Sequence, residues 1–404
     1  MTRTKRTVGA VAAAAVLAAA VPVAAPAYAS SAQRGTVVSV RHLTGMSADQ
    51  TRTSLRTNGF DASAVRRGVD EYQVVYRTVD PRHRPTTASG LLVLPRGGDR
   101  SLRTVSFAHG TESFRPDVPS TNTEPFVTSP PVTYAAAGFA AVAPDYLGMG
   151  EGPGTHPWMD VPSETTASLD LLRAARDVAA RHGRTLRRDV LATGFSQGAS
   201  AALGLGRALR GGADDWFRLT ALAPVSGAYD FSGVELPAIL SSGDDKTTVA
   251  YTTYLLVSWN RLHHLYRDPA DIFRAPYAGR VDALFDGDTP GNVMLDQLPD
   301  SLRELLTDKG FALLRHPSPR FAAALRVADA VCDWHPGVPT RLYRATGDEQ
   351  VPTVNTDRCT TAFAAYGEHP TVVELGTPEY EGSRHLGSAV AATAATVRWF
   401  ASLR

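Results

Sequence analysis

Short apolar runs and amphipathic stretches take turns along most of this sequence. Residues 72–80 alternate apolar and polar side chains, the period of a strand with one covered face. Residues 88–95 form a second such run. Pro81 and Pro85 mark the turn between the two, so the pair predicts an antiparallel hairpin at a sheet edge. Runs at 104–108, 139–144, 189–193 and 219–224 are short and apolar, as buried parallel strands are. Between them, Ala167, Leu171, Leu172, Ala175, Val178 and Ala179 fall near a 3.6-residue period. That predicts an amphipathic helix over 163–181, capped by Ser163 and stopped by Gly183. Residues 30–70 read as an N-terminal arm, in which Ser47-Ala48-Asp49-Gln50 has capping-box form and starts a short helix. Alternation of this kind predicts an α/β fold: a mostly parallel central sheet flanked by helices.

The rhythm stops near residue 232. Helix patterns at 247–265 and 301–314 follow, separated by Gly- and Pro-rich breaks at 287–291 and 317–319. This predicts a helical cap, residues 232–327, inserted after the sixth strand over the C-terminal edge of the sheet. Its first helix carries a stripe of Tyr251, Leu255, Trp259, Leu262 and Tyr266, whose ordinary role is packing against the main domain. The sheet resumes at 340–345. A helix over 353–366, a last strand at 371–375 and a closing helix over 388–403 complete the chain.

Composition changes the picture in two places. The first is the N-terminus: Arg3, Lys5 and Arg6 precede an apolar, Ala-rich stretch at 8–21, broken by Pro22 and Pro26 and followed by Ala27-Tyr28-Ala29. That is the form of a secretory signal over 1–29, with an A-x-A cleavage site and a mature start near Ser30. The expected organisation is therefore signal 1–29, core 30–231, cap 232–327 and core 328–404, secreted and with no integral membrane segment once the signal is removed. The second is cysteine: only Cys332 and Cys359 occur, and an even pair in an exported chain favours one disulfide. Such a bridge would bracket Asp348. Charge is unremarkable. Among 404 residues, 41 are Lys or Arg and 40 are Asp or Glu, which gives no reason to expect nucleic acid as a partner. The two cysteines are too far apart in sequence to suggest a metal site, and no His-Glu-x-x-His or Cys-x-x-Cys occurs, so neither metal nor cofactor is expected.

Candidate chemistry centres on Gly194-Phe195-Ser196-Gln197-Gly198, between the apolar run at 189–193 and the small residues at 199–203. Strand, Gly-x-Ser-x-Gly, helix is the nucleophile elbow, a sharp turn that lifts a serine hydroxyl above a sheet. Gly194 and Gly198 are expected because a side chain there would meet neighbouring backbone. Serine needs a base, and the base needs an acid to orient it. In this arrangement the acid and then the histidine follow the serine along the chain. Asp348 lies just past the strand at 340–345, and His385 just past the last strand. Glu349 and Asp357 are weaker candidates for the acid; His369 and His335 are weaker for the base. An oxyanion hole is expected from the backbone N–H groups of Gln197 and Thr111, with Glu112 next. His109 reads as a structural residue of the turn. Tyr146 and the glycines after it form either a pocket border or an ordinary Gly-rich connection. His156-Pro157-Trp158 reads as non-catalytic.

These pieces resemble a known family. His109-Gly110-Thr111, Pro144-Asp145-Tyr146-Leu147-Gly148, Gly194-Phe195-Ser196-Gln197-Gly198, Gly347-Asp348-Glu349-Gln350-Val351-Pro352 and His385 run in the order found in secreted α/β-hydrolases of the bacterial and fungal secretory lipase type. The resemblance covers 104–390. It departs at Ala199, where relatives often have a second glycine, and the cap is its least family-like part. It implies serine-dependent hydrolysis of a small-molecule ester or lipid by a monomer, without metal or cofactor. Part of the stripe at Tyr251 would then line an acyl pocket. Two other readings share the motif: a serine peptidase releasing short N-terminal fragments, for which Asp244-Asp245 is the one tight acidic pair in the cap, and an acyltransferase.

Overall fold

A computed structural model of the chain describes residues 33–121, 125–242 and 245–403. The signal reading at 1–29 lies outside these residues. Nine strands of the described residues form one sheet: β1 Val37–Met46, β2 Val69–Val79, β3 Pro85–Pro95, β4 Ser101–Ala108, β5 Ala140–Pro144, β6 Thr185–Phe195, β7 Arg218–Val225, β8 Arg341–Arg344 and β9 Thr371–Glu374. Their spatial order is β1-β2-β3-β5-β4-β6-β7-β8-β9. The pairings β1–β2, β2–β3 and β3–β5 are antiparallel. From β5 to β9 every pairing is parallel.

β2 and β3 form the expected hairpin, in register from Val69 opposite Pro95 to Val79 opposite Pro85. Asp80 closes it by accepting from the backbone N–H of Arg82 at 2.9 Å and Arg84 at 2.8 Å. The hairpin is not the edge, however. β1 lies outside it, in a stretch expected to be an arm without a strand. β1 shows no clean alternation: every residue is exposed or half-buried, with Val37 and Val40 packing against one core and Leu43 and Met46 against the other. The helical segment therefore follows the seventh strand rather than the sixth, at the same place in the chain.

Helices α1 Ala48–Thr57, α2 Pro125–Ala136, α3 Val161–Arg181 and α4 Gln197–Arg210 belong to the first part of the chain. Between β7 and β8 lie α5 Leu236–Ser241, α6 Lys246–His263, α7 Pro269–Ile272, α8 Val281–Leu284, α9 Gly291–Gln297, α10 Leu302–Leu305, α11 Asp308–Arg315 and α12 Pro319–Asp329. α13 Val354–Ala365 and α14 Arg384–Ser402 follow. One sheet face packs against α3, α4 and α13, the other against α1, α2 and α14. The helices between β7 and β8 have their own apolar core, which takes in Trp158 and Met159 from the loop before α3.

Several boundaries moved for identifiable reasons. The capping box at Ser47 is present, with Ser47 and Gln50 each accepting the other's backbone N–H. α3 begins two residues early, because Asp160 accepts from the N–H of Ser163 at 3.1 Å and Pro162 occupies the first turn. α2 was not expected: it is buried on all sides and contains Pro130 and Pro131, so it has no amphipathic period to read. The pattern at 301–314 splits into α10 and α11 at Thr307, whose hydroxyl caps α11 through the N–H of Gly310. Asp245 caps α6 through the N–H groups of Thr247 and Thr248, and Asp244 lies outside the described residues. α6 stops at His264, which has φ 55°, so Tyr266 lies beyond the helix.

Cys332 and Cys359 form a disulfide across a sequence separation of 27 residues. It ties the turn after α12 to α13, and the loop it closes carries β8 and Asp348. Both sulfurs are buried beside Trp334 and Phe363. Loop-closure entropy for a loop of this length is worth about 3.5 kcal/mol. The double variant Cys332→Ser/Cys359→Ser should therefore unfold at clearly lower denaturant or temperature than the oxidised protein. An unchanged midpoint would show that native packing alone holds this loop. No helix of the described residues is long and apolar enough to cross a membrane.

Candidate active site

Four loops converge at the C-terminal ends of the parallel strands, the edge where open α/β sheets bind their ligands. They follow β4, β6, β8 and β9. After β6, the chain turns into α4 within one residue. Ser196 takes φ 56° and ψ −121°, a conformation L-residues rarely adopt. The two glycines permit it. A Cβ on Gly194 would overlap the carbonyl of Gly198, and one on Gly198 would overlap the carbonyl of Ala108. This is the collision expected from the sequence.

The turn brings Ser196 against His385. The serine Oγ lies 2.9 Å from His385 Nε2, and His385 Nδ1 lies 2.8 and 3.0 Å from the two carboxylate oxygens of Asp348. A carboxylate can only accept, so Nδ1 carries the proton and Nε2 is free to accept from the serine. Both His385 and Asp348 side chains are almost wholly buried. His385 was expected in a loop. It is instead the second residue of α14, capped by Ser383. Asp348 is itself fixed: its Oδ1 accepts from the N–H of Gln350 at 3.0 Å and Val351 at 2.9 Å.

The competing residues sit elsewhere. Asp357 pairs with Arg344 at 2.6 Å, and His335 pairs with Glu368 at 2.9 Å. His369 is exposed. Glu349 does not face the imidazole. Its carboxylate accepts from the Ser383 hydroxyl and from the backbone N–H of Arg384 and His385, the unpaired donors at the start of α14. Burial works to raise its pKa, but these hydrogen bonds win and hold it below the usual carboxylate value. Glu349 thus anchors the helix that carries His385, a role no local pattern could reveal.

The loop after β4 brings Thr111 to the cavity walls beside Ser196. Thr111 Oγ1 accepts from the indole N–H of Trp158 at 2.9 Å. Tyr146 is buried and donates to the carbonyl of His109 at 2.9 Å, so it braces this loop and does not border the pocket. His109 is structural, as expected. Its Nδ1 donates to the carbonyl of Gly110 at 2.8 Å, and burial drives its pKa down to about 3.

Gln197 has its side chain in the core. One amide hydrogen goes to Glu164 Oε1 at 2.7 Å and the other to His156 Nε2 at 2.9 Å. His156 donates from Nδ1 to the carbonyl of Leu147 at 3.0 Å. This network pins the residue after the nucleophile from below. No local pattern signals it, since Glu164 and His156 lie far from the elbow along the chain.

Two cavities meet at Ser196. One, of about 160 Å³, runs under the inserted helices and includes Phe231, Glu235, Ile239 and Leu255. The other, of about 190 Å³, includes His385, Phe126 and Tyr380. Thr111, Ser196, Tyr251 and Gln350 line both. Tyr251 donates to Gln350 Oε1 at 2.8 Å, a bar between the two spaces. The aromatic stripe thus divides. Tyr251 and Leu255 reach the cavity, whereas Trp259 is buried in the core of the insertion. A larger surface groove near Arg82 and Arg261, about 610 Å³, shares no lining residue with either cavity.

Solved structures share this fold. The chain aligns over 92% of its length with 98% of the rice cell wall degrading esterase LipA from Xanthomonas oryzae, at 26% identity and a TM-score of 0.77. This chain has the α/β-hydrolase fold, and the neighbours it aligns with include esterases and lipases. A structure from Legionella pneumophila shares the fold at a TM-score of 0.80 and 23% identity, over 90% of this chain and 97% of that one. Candida antarctica lipase A shares it more distantly, at 0.61 and 14% identity over 86% and 78%. No family model matches the sequence, and no curated protein matches it significantly. The relatives support a carboxylic ester hydrolase.

The network beneath this α/β-hydrolase's elbow has a pH signature. Glu164 is fully buried, and burial raises its pKa to about 8 from 4.5. Between those values the unfolded chain has released a proton that folded Glu164 still holds, so stability falls as the pH rises across that window. Glu164→Gln keeps an acceptor for Gln197 and removes the titration. Its melting temperature relative to the parent should climb by several degrees from pH 5 to pH 8. A constant difference would mean that Glu164 is ionised in the fold throughout.

Proposed function

We propose that the protein is an exported serine carboxylic-ester hydrolase acting through an acyl-enzyme on Ser196. The observation that carries this reading is the continuous line from Ser196 Oγ through His385 to Asp348, opening onto two cavities. Ser196 attacks the ester carbonyl while His385 Nε2 takes its proton. Asp348 holds the imidazole in the required tautomer and stabilises its charged form. The developing oxyanion is met by the N–H groups of Gln197 and Thr111. The hydrogen bonds that brace these two residues, from Glu164 and His156 on one side and Trp158 on the other, support that role by fixing the donors before reaction. His385 then protonates the leaving alcohol, and water repeats the sequence on the acyl-enzyme.

The leaving alcohol must lie on the imidazole side of Ser196 to receive that proton. The cavity lined by His385 therefore takes the alcohol, and the one under the inserted helices takes the acyl group. The helices of 232–327 then act as a cap that closes the acyl side. At roughly 30 Å³ per non-hydrogen atom, the acyl cavity holds about five of them, a short chain. Export is supported by the basic, apolar and A-x-A order of 1–29 and by the disulfide.

Hydrolysis of p-nitrophenyl esters from acetate to palmitate should peak at butanoate to hexanoate. Ser196→Ala should lower kcat by at least about four orders of magnitude while melting at the parental temperature. A peak at palmitate would mean that the inserted helices open on substrate. Full activity in Ser196→Ala would remove the nucleophile from this serine, and cleavage of aminoacyl anilides without ester hydrolysis would make the protein a peptidase.

A further inference from the structure

Most polar groups on the wall of the acyl cavity are already paired with the protein: Tyr251 with Gln350, Ser242 with the carbonyl of Ile239, Thr248 with Asp245, and Glu349 with the start of α14; Glu235 is the exception that the reaction does not use. Glu235 ends a wide helical turn, 231–235, just before α5, and its side chain lines this cavity beside Phe231 and Ile239. It is 92% buried. Its Oε1 accepts from the side-chain amide of Asn355. Asn355 is in turn fully committed. Its Oδ1 accepts from the N–H groups of Tyr229 and Asp230, both at 3.0 Å, and its amide also reaches the carbonyl of Pro352 at 3.0 Å. Glu235 is therefore locked in place by one oxygen. Oε2 has no partner among the described residues, and the side chain opens on the cavity.

An apolar acyl chain filling the cavity would strip solvent from Oε2 and leave it without a partner, which costs on the order of 1–3 kcal/mol. The apolar neighbours offer nothing to offset that. No arginine, lysine or histidine lines the cavity among the described residues; its carboxylates are those of Glu235 and Glu349, and Glu349 is already satisfied at the start of α14. Burial raises the pKa of Glu235 to about 7, with the charges of Asp348 and Asp230 adding to the rise. Near neutral pH the group can thus meet a donor as carboxylate or as carboxylic acid. An acidic wall also repels an anionic acyl group.

We propose that Glu235 selects the acyl half of the substrate, favouring acyl chains that carry a hydrogen-bond donor, a hydroxyl or an amino group, which Oε2 accepts. The inference rests on the ester-hydrolase reading and on the acyl group entering this cavity. A site built to hydrogen-bond a substrate group discriminates against the analogue lacking it, because its buried polar atom is then left unpaired. Glu235 touches only the acyl chain and takes no part in bond making.

The test compares kcat/KM for ethyl esters of 3-hydroxybutanoic and 6-hydroxyhexanoic acids, of their amino counterparts, and of butanoic and hexanoic acids. Acid release is followed at constant pH, with ethyl acetate as a substrate too short to reach Glu235. In the parent protein, at least one donor-bearing ester should exceed its unsubstituted counterpart by tenfold or more. The hydroxyl and amino arms identify which donor the cavity takes. Glu235→Leu should abolish that preference. Glu235→Gln keeps the shape and the bond from Asn355, but turns an amide N–H toward the cavity. It should lower the same ratio at least tenfold even if Glu235→Leu does not fold. Ethyl acetate turnover with no preference in the parent, or with the parental ratio kept in Glu235→Gln, would overturn the selector while leaving the ester hydrolase intact. Absence of Ser196-dependent turnover on every ester would overturn both.

Discussion

The site depends on backbone packed against backbone where β6 turns into α4. Gly194 lies against the carbonyl of Gly198, and Gly198 against the carbonyls of Ala108 and His109. No side chain fits at either contact, so the turn is as tight as a peptide chain allows. That tightness drives Ser196 to φ 56° and presents its hydroxyl above the sheet. The strain, of order 1–3 kcal/mol, is tolerable because β6 is buried between β4 and β7 and cannot relax. The same contact joins the elbow to the loop after β4, so Thr111 and Gln197 are placed relative to each other by main chain rather than by flexible side chains.

Around this turn, each contributing residue is held from a second direction. Gln197 is pinned through its amide by Glu164 and His156, Thr111 by the Trp158 indole, and Asp348 by the N–H groups of Gln350 and Val351. His385 is the most indirect case. The N-terminal N–H groups of α14 are captured by Glu349, the residue next to Asp348 in the chain. One four-residue stretch, 348–351, therefore orients the imidazole by its side chain and positions the imidazole's helix by another. The disulfide closes the loop that carries this stretch. Tyr251 extends the bracing to the inserted helices through Gln350, so the insertion is coupled to the acid loop as well as covering a cavity.

Buried ionisable groups near the site fall into two kinds. Those in closed surroundings are held neutral by desolvation: His109 and His156 on the imidazole side, Glu164 on the carboxyl side. They serve as fixed hydrogen-bond partners. Glu235 differs because its second oxygen faces an open cavity. Glu71 and Glu164 each leave Oε2 sealed in the interior without a hydrogen bond among the described residues, whereas Oε2 of Glu235 opens on a cavity from which a donor can reach it, and that opening is what singles out Glu235 among the buried acids.

Much of this architecture could be read from local pattern. Apolar runs of strand length, glycines flanking one serine, and the order of Ser196, Asp348 and His385 are local statements, and the structure brings those three residues within hydrogen-bond distance. The cysteine pair was legible for the same reason. What escaped was everything without a periodic or short-range signature. β1 is an edge strand partly covered on both faces, and α2 is covered on every face, so neither shows alternation. Trp259 and Leu255 belong to one helical stripe, yet only the fold decides that the first packs inside the insertion while the second reaches the cavity. Glu164, Glu235 and Glu349 look alike in a list of acidic residues. Their different roles depend on which distant donors the fold brings to each carboxyl group. A strand's period and a tight turn are set by steric rules acting over a few residues, and the sequence by itself determined them. Burial and hydrogen-bond partnership are set by packing between segments far apart in the chain, and only the tertiary structure decided them.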